Sequence, residues 1–178
     1  MVPIDSLLSA ISFAARAHLD HFRKDGATPY VAHPFRVATI LSTVFGVTDL
    51  DMLTAAVLHD TIEDTRTDHD DLSERFGSRA ADYVAALSKD KRLPEEQRER
   101  EYHDGLTAAP VAVKLCKLAD VYDNLLDSRG MDARARRKTI GKAHEALERF
   151  TPALSSEWPH VLAAVRDAIA QIERELAS

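Results

Sequence analysis

The chain has one cysteine, Cys116, and a lone thiol cannot build an internal disulfide framework. Its core must hold it together, and this cysteine usage suits a reducing compartment, so a cytoplasmic protein is expected. Cys116 falls inside an apolar helical run, which predicts a buried structural thiol rather than a nucleophile. Aromatic residues are scarce, at 6%, while Ala and Leu abound, a balance that favours helix over sheet. No stretch approaches the roughly 18 apolar residues of a membrane span. Met1 to Asp5 lack a basic flank and a long apolar segment, so neither a signal peptide nor a membrane partner is expected. Positive charge is also in deficit: a formal charge of -6 argues against nucleic acid as a partner, since that needs a basic face. A small anionic substrate stays open, because a few Arg and Lys, or a metal, can dominate one cleft. There is no internal repeat, no glycine-rich phosphate loop and no strand run long enough for a sheet. At 178 residues the chain is expected to form a single domain, 1–178.

What is present is concentrated. Leu53 to Leu58 is an almost wholly apolar run that ends abruptly in His59-Asp60 and then Glu63-Asp64. Apolar residues at this density predict a buried helix. An imidazole and three carboxylates at its end are costly unless their charge is compensated. A divalent cation is the natural partner of neutral imidazole and ionised carboxylate. Glu63 follows His59 by four residues, as Asp64 follows Asp60, so each pair shares a face if the helix continues. A solvated acidic helix end is the alternative for any one of these groups; their number, directly behind a buried run, weighs against it.

The remainder is expected to be helices with short breaks. Helical spacing from Asp5 to about Lys24 puts His18 and Phe22 on a core-facing stripe, with His18 a buried, hydrogen-bonded histidine and His21 at the rim. Arg23 and Lys24 precede a loop at Asp25-Gly26. His33-Pro34 opens a helix to about Phe45, closed by Gly46, and Asp49 caps the next. Thr67 and Asp70 predict a capping box for a helix ending at Gly77, and Ser78 caps one through Leu87. Pro94-Glu95-Glu96 starts a charged, largely solvent-facing helix to about Leu106. Pro110 opens a second buried helix, Val111 to Leu126. Val111, Leu115, Leu118, Tyr122 and Leu125 form its apolar stripe; Lys117, Asp120, Asn124 and Asp127 form a polar one, aimed at a site unless it is a hydrated face. The basic run Arg134 to Lys138 is expected on solvated surface. Pro152 should break its helix, and Val161 to Leu176 closes the chain with Val161, Ile169 and Ile172 inward.

Two buried helices thus supply complementary parts: His59-Asp60 ends one, Asp120 sits midway along the other, and His33 opens a third. Two histidines with two carboxylates suit manganese, iron(II), cobalt or zinc more than calcium. Such a metal polarises a phosphoryl oxygen and lowers the pKa of a water. The order His…His-Asp…Asp on an all-helical chain resembles the HD phosphohydrolase superfamily. Its flanks, Arg23-Lys24-Asp25, Thr28-Pro-Tyr-x-x-His-Pro34, Ala56-x-Leu-His-Asp-Thr-x-Glu-Asp-Thr65 and Lys117-Leu-Ala-Asp-x-x-x-Asn124, resemble the hydrolase domain of RelA/SpoT proteins. The likeness is nearest to stand-alone small alarmone hydrolases of the metazoan SpoT-homologue kind. It runs from about His18 to Asn124 and includes the Asp90-Lys91 loop.

The resemblance implies an all-α HD-domain helical bundle with a metal site between buried helices. It implies His33, His59, Asp60 and Asp120 as ligands of manganese, or of another divalent transition metal, and Glu63 and Asp64 as the pair that activates or orients water. Arg23, Lys24 and Lys91 would contact the nucleotide and Asn124 its sugar. The implied reaction removes the 3′-pyrophosphate of (p)ppGpp, giving GDP or GTP; no accompanying synthetase domain is expected, and no oligomeric state is implied. Two departures stand out. Tyr122-Asp123-Asn124 replaces the Leu-His-Asn or Leu-Tyr-Asn common in relatives, and no tyrosine follows Tyr122, whereas relatives tend to set a later one against the nucleotide. Another phosphorylated nucleotide, such as NADPH with its 2′-phosphate, is the alternative substrate. A non-catalytic nucleotide-binding module is the alternative class, disfavoured by the complete ligand set and the Glu63-Asp64 pair.

Overall fold

The computed structural model describes residues 3–177, so Met1, Val2 and Ser178, and with them the start of the N-terminal reading, lie outside the described residues. In chain order the helices are α1 (Pro3–Ala17), α2 (Ala32–Thr43), α3 (Leu50–Leu58), α4 (Thr61–Asp64) and α5 (His69–Phe76). They continue with α6 (Ser78–Leu87), α7 (Glu95–Ala108), α8 (Val111–Asp127), α9 (Ala133–Leu154) and α10 (Pro159–Ala177), with a 3-10 turn at Ser128–Gly130 after α8. Among the described residues the one β-type pairing is an isolated bridge between Phe22 and Pro29, so the all-α expectation holds. No helix among them is long and apolar enough to cross a membrane.

Helix α3 is the partition of the molecule. Asp49 caps it, its carboxylate accepting from the amides of Asp51 and Met52, and every residue from Met52 to Leu58 is buried. A helix apolar all round is stable only with protein on all sides. Met52, Leu53 and Ala56 join a core with residues of α2, α8, α9 and α10, while Ala55, Val57 and Leu58 join a second core with α1, α5 and α6. The C-terminal end of α3 therefore emerges at the seam of two cores. Helix α8 is the second spine, with Leu115, Leu118, Ala119 and Leu125 buried. Cys116 lies among them, and burial pushes its thiol up to about 12, as a structural role requires.

Several boundaries differ from expectation. Helix α1 stops at Ala17 rather than near Lys24, and the chain turns at Asp20, where φ is 62°. Hairpin-like bonds from Arg23 N to Thr28 O (2.8 Å) and Tyr30 N to His21 O (2.8 Å) take the segment instead. Phe22 is consequently 53% exposed rather than in the core. Asp68, not Thr67, caps α5 by accepting from Asp71 N; Thr67 N donates to Thr65 Oγ1. Ser78 makes no cap bond, because Gly77 at φ 89° already turns the chain. Val111, in the first turn of α8, is 37% exposed, off the buried stripe. Pro152 does not break α9, which runs on to Leu154: Phe150 and Leu154, buried on either side, hold that last turn in place.

Candidate metal centre and its cleft

The apolar run stops where the helix does. Helix α3 ends at Leu58, Asp60 turns the chain (φ -97°, ψ -2°), and α4 restarts it for one turn. Thr61 Oγ1 donates back to Leu58 O at 2.7 Å and holds the bend. The continuous helix that would put His59 with Glu63 on one face does not form. His59 points into the seam, Glu63 is half-buried and Asp64 is exposed.

At this bend four side chains meet. His59 Nδ1 lies 2.9 Å from Ala56 O, and a carbonyl only accepts, so Nδ1 carries a proton and the neutral ring keeps its lone pair on Nε2. His33, at the start of α2, sets Nδ1 2.7 Å from Asp123 Oδ2. Both Nε2 atoms then face the same carboxylates. His33 Nε2 is 3.1 Å from Asp120 Oδ1 and 3.7 Å from Asp60 Oδ2. His59 Nε2 is 3.0 Å from Asp60 Oδ2 and 4.0 Å from Asp120 Oδ1. His33, His59 and Asp60 each offer an atom within 4.8 Å of the others. His59 Nε2 is buried without an aligned hydrogen bond.

Two lone pairs converging on two carboxylates need positive charge between them. Without a metal, protons supply it: burial opposes a charged His33, but Asp120 and Asp123 outweigh it and push its pKa up to about 9. Burial likewise opposes charge on His59, and Asp60 raises it. Burial resists ionisation of both carboxylates, yet His59 holds Asp60 low and Lys117 with His33 holds Asp120 far below the usual range. The orphaned His59 Nε2 and the ionised pair fit a divalent cation. The remaining oxygen contacts are occupied from outside. Tyr30 Oη donates to Asp60 Oδ2 (2.6 Å), Lys117 Nζ to Asp120 Oδ2 (2.7 Å) and Asn124 Nδ2 to Asp120 Oδ1 (2.5 Å). Sequence reasoning assigned no role to Tyr30 or Asp123, although both sit within motifs it quoted.

The cluster forms one wall of a cavity of about 510 Å³ that also includes Arg23, Lys24, Glu63, Asp64, Lys89, Lys117, Asn124 and Lys142. A second cavity, about 250 Å³, shares Lys24, Lys89, Tyr102, Lys117, Asn124 and Lys142 and continues between α7, α8 and α9 over Leu106, Val121 and Phe150. Glu63 Oε2 accepts from Lys89 N at 3.0 Å. Asp64 is paired with Lys91 Nζ at 2.6 Å, and Lys91 itself lines neither cavity. Arg23 donates to Asp127 (2.6 Å) and to Asn124 Oδ1 (3.3 Å). Of the basic run, Arg136 satisfies the carbonyls of Ser128 and Arg129, and none of Arg134 to Lys138 lines the cleft. His18 is buried behind the site, its ring 4.9 Å from that of Tyr30 and its Nδ1 3.3 Å from that of the exposed His21.

Known proteins resemble this chain in sequence and fold. A family model described as HD domain matches residues 10–152. The chain is 43% identical over 122 residues to the guanosine-3′,5′-bis(diphosphate) 3′-pyrophosphohydrolase of Homo sapiens, a match covering 68% of each chain. It is 34% identical over 151 residues to the enzyme of that name from Aquifex aeolicus, covering 83% of this chain and 21% of the relative. A solved structure of a metazoan ortholog of SpoT, which hydrolyzes ppGpp and plays a role in starvation responses, aligns with a TM-score of 0.82 at 28% identity. That alignment covers 93% of this chain and 94% of the other.

Proposed function

The chain belongs to the HD-domain family, in its branch of guanosine-3′,5′-bis(diphosphate) 3′-pyrophosphohydrolases, and from that premise we propose that it removes the 3′-pyrophosphate of (p)ppGpp, leaving GDP or GTP. The observation that carries the reading is the convergence of two histidine Nε2 atoms and two carboxylates at one end of a cleft rimmed by cations. His33, His59, Asp60 and Asp120 would hold the metal, and the mixed nitrogen and carboxylate set favours manganese. When bound, such a cation supplies Lewis-acid polarisation of a phosphoryl oxygen and a lowered pKa for water.

The chain's own residues do the rest. Glu63 is oriented by the Lys89 amide, and a carboxylate so fixed at the cavity wall can take the proton of an attacking water. Asp64 beside it orients that water, with Lys91 as its counter-charge. Lys24 and Lys142 bring positive charge to the cleft against the chain's overall -6, which draws in a polyanion. Arg23 and Lys24 contact the nucleotide, Asn124 its sugar, and Lys91, 53% exposed, a phosphate at the mouth. The buried lone cysteine suits a reducing cytoplasm, which we take as the compartment.

The test is pyrophosphate release from ppGpp by the purified chain in excess Mn2+, repeated after chelation. Release that stops on chelation and returns with Mn2+ is expected; a folded, metal-loaded protein that releases none would move the substrate elsewhere. The absence of a tyrosine after Tyr122 favours one second reading, another phosphorylated nucleotide, and a panel that includes NADPH separates the two.

A further inference from the structure

Asp123 has no part in the reaction just described, yet its carboxylate is fully buried on α8. Burying a carboxylate is costly unless it is bonded and paired. Oδ2 accepts the Nδ1–H of His33 at 2.7 Å. Oδ1 lies 2.6 Å from Arg36 Nε, an ionic contact whose N–H is not aligned for a hydrogen bond. Arg36 stands three residues after His33 on α2, on the same face, so one helix brings both the candidate ligand and the counter-charge to Asp123. Arg36 Nη1 also reaches Asp127 Oδ1 at 3.3 Å. The other histidine is held differently: His59 gives its Nδ1–H to the uncharged carbonyl of Ala56.

We propose that Asp123 is a positioning residue of the metal centre, an anionic acceptor that fixes His33 with Nε2 toward Asp60 and Asp120 and strengthens it as a ligand, with Arg36 as its counter-charge. The chemistry is general: an imidazole that donates one N–H to a carboxylate is locked in tautomer and orientation and is more basic at the other nitrogen. Helix α2 alone does not hold the ring's orientation, because a histidine's second torsion is broad. The bond from α8 fixes it, and with it the relation of α2 to the helix that carries Asp120.

The proposal rests on the metal reading above. It is tested by calorimetric titration of Mn2+ into the wild-type chain, Asp123→Asn and Asp123→Leu, without nucleotide, each variant being checked by circular dichroism and thermal melting. Asp123→Leu, which leaves Nδ1 with no acceptor, is expected to weaken Mn2+ binding about 10- to 100-fold. Asp123→Asn, which keeps an acceptor without the charge, should fall between it and wild type. If the Leu variant does not fold, the Asn variant decides. Unchanged affinity in the folded variants beside a normal wild-type isotherm, even with a lowered melting temperature, reduces Asp123 to packing and overturns the proposal. A wild-type chain that takes up no Mn2+ overturns the metal reading and this one with it.

Discussion

The two ends of the cleft are built on opposite terms. At one end His33, His59 and Asp120 are buried, and each is anchored by a contact from another residue: Asp123 on His33, Ala56 O on His59, Lys117 and Asn124 on Asp120. At the other, Lys24 and Lys142 are exposed, one at a hairpin and one on a helix face, and both reach the wall through long side chains. Charge in a buried site has to be matched in advance, because nothing there can reorganise cheaply. Charge at a wet rim can be recruited by the ligand, at a cost in side-chain freedom. The proposed metal end should therefore be intolerant of any change, and the rim should degrade by degrees.

The strongest way to break that contrast is at the proposed ligands. Asp60→Ala or His59→Ala should remove metal binding and lower turnover by more than about 1,000-fold, beyond the loss typical of a single electrostatic donor. The fold should persist, because neither side chain belongs to either apolar core. Mn2+ titration, pyrophosphate release and circular dichroism read the three parts separately. A metal-loaded, active Asp60→Ala chain would end the case for this centre. Glu63→Gln sharpens the boundary between holding metal and moving protons. It should cut kcat about 100- to 10,000-fold with Mn2+ affinity unchanged, since Glu63 is bonded to the Lys89 amide rather than to the ligand cluster.

The rim should answer differently. Lys24→Ala or Lys142→Ala is expected to raise KM about tenfold, roughly 1.4 kcal/mol, with kcat and Mn2+ affinity near wild type, the pattern of an interaction equal in ground and transition states. Raising salt should mimic the substitution, because exposed charges are screened. A kcat effect as large as that of Glu63→Gln would put these lysines inside the chemistry and erase the contrast.

How legible each end was in the sequence follows from the same difference. His59-Asp60 announced itself because carboxylates behind a buried run contradict their surroundings, and Asp120 because it broke an apolar helix at regular spacing. His33, alone at a helix start, gains meaning only as the second histidine of that set. The supports were not legible. Tyr30 on Asp60 and Asp123 on His33 exist only because a hairpin and α8 pack on the bend, and no local pattern encodes that packing. Lys89 and Lys142 belong to no local pattern until α7, α8 and α9 close around them. Local spacing also misled where non-local bonds won: Phe22 fits a helical stripe, yet the hairpin of residues 21–30 takes it to the surface.

The smallest effect should come from the far end of the helix that carries His59. Asp49 caps α3 through the amides of Asp51 and Met52 and meets Arg79 Nη2 at 2.7 Å. Asp49→Ala should cost about 1 kcal/mol, a fall of roughly 2–4 °C in Tm for a chain of this size, with kcat and Mn2+ affinity unchanged. Burial opposes the charge on Asp49, but the Met52 amide and Arg79 hold its pKa below the usual carboxylate value. A group depressed in the folded state stabilises above its unfolded pKa, about 3.9, and loses that contribution as pH falls through the folded value. The gap in Tm between Asp49→Ala and wild type should therefore be full near neutrality and shrink below about pH 4. Were the gap instead to come with a loss of Mn2+ affinity, strain at the start of α3 would be reaching His59, and the metal end would owe its rigidity to the whole helix rather than to the contacts around the bend.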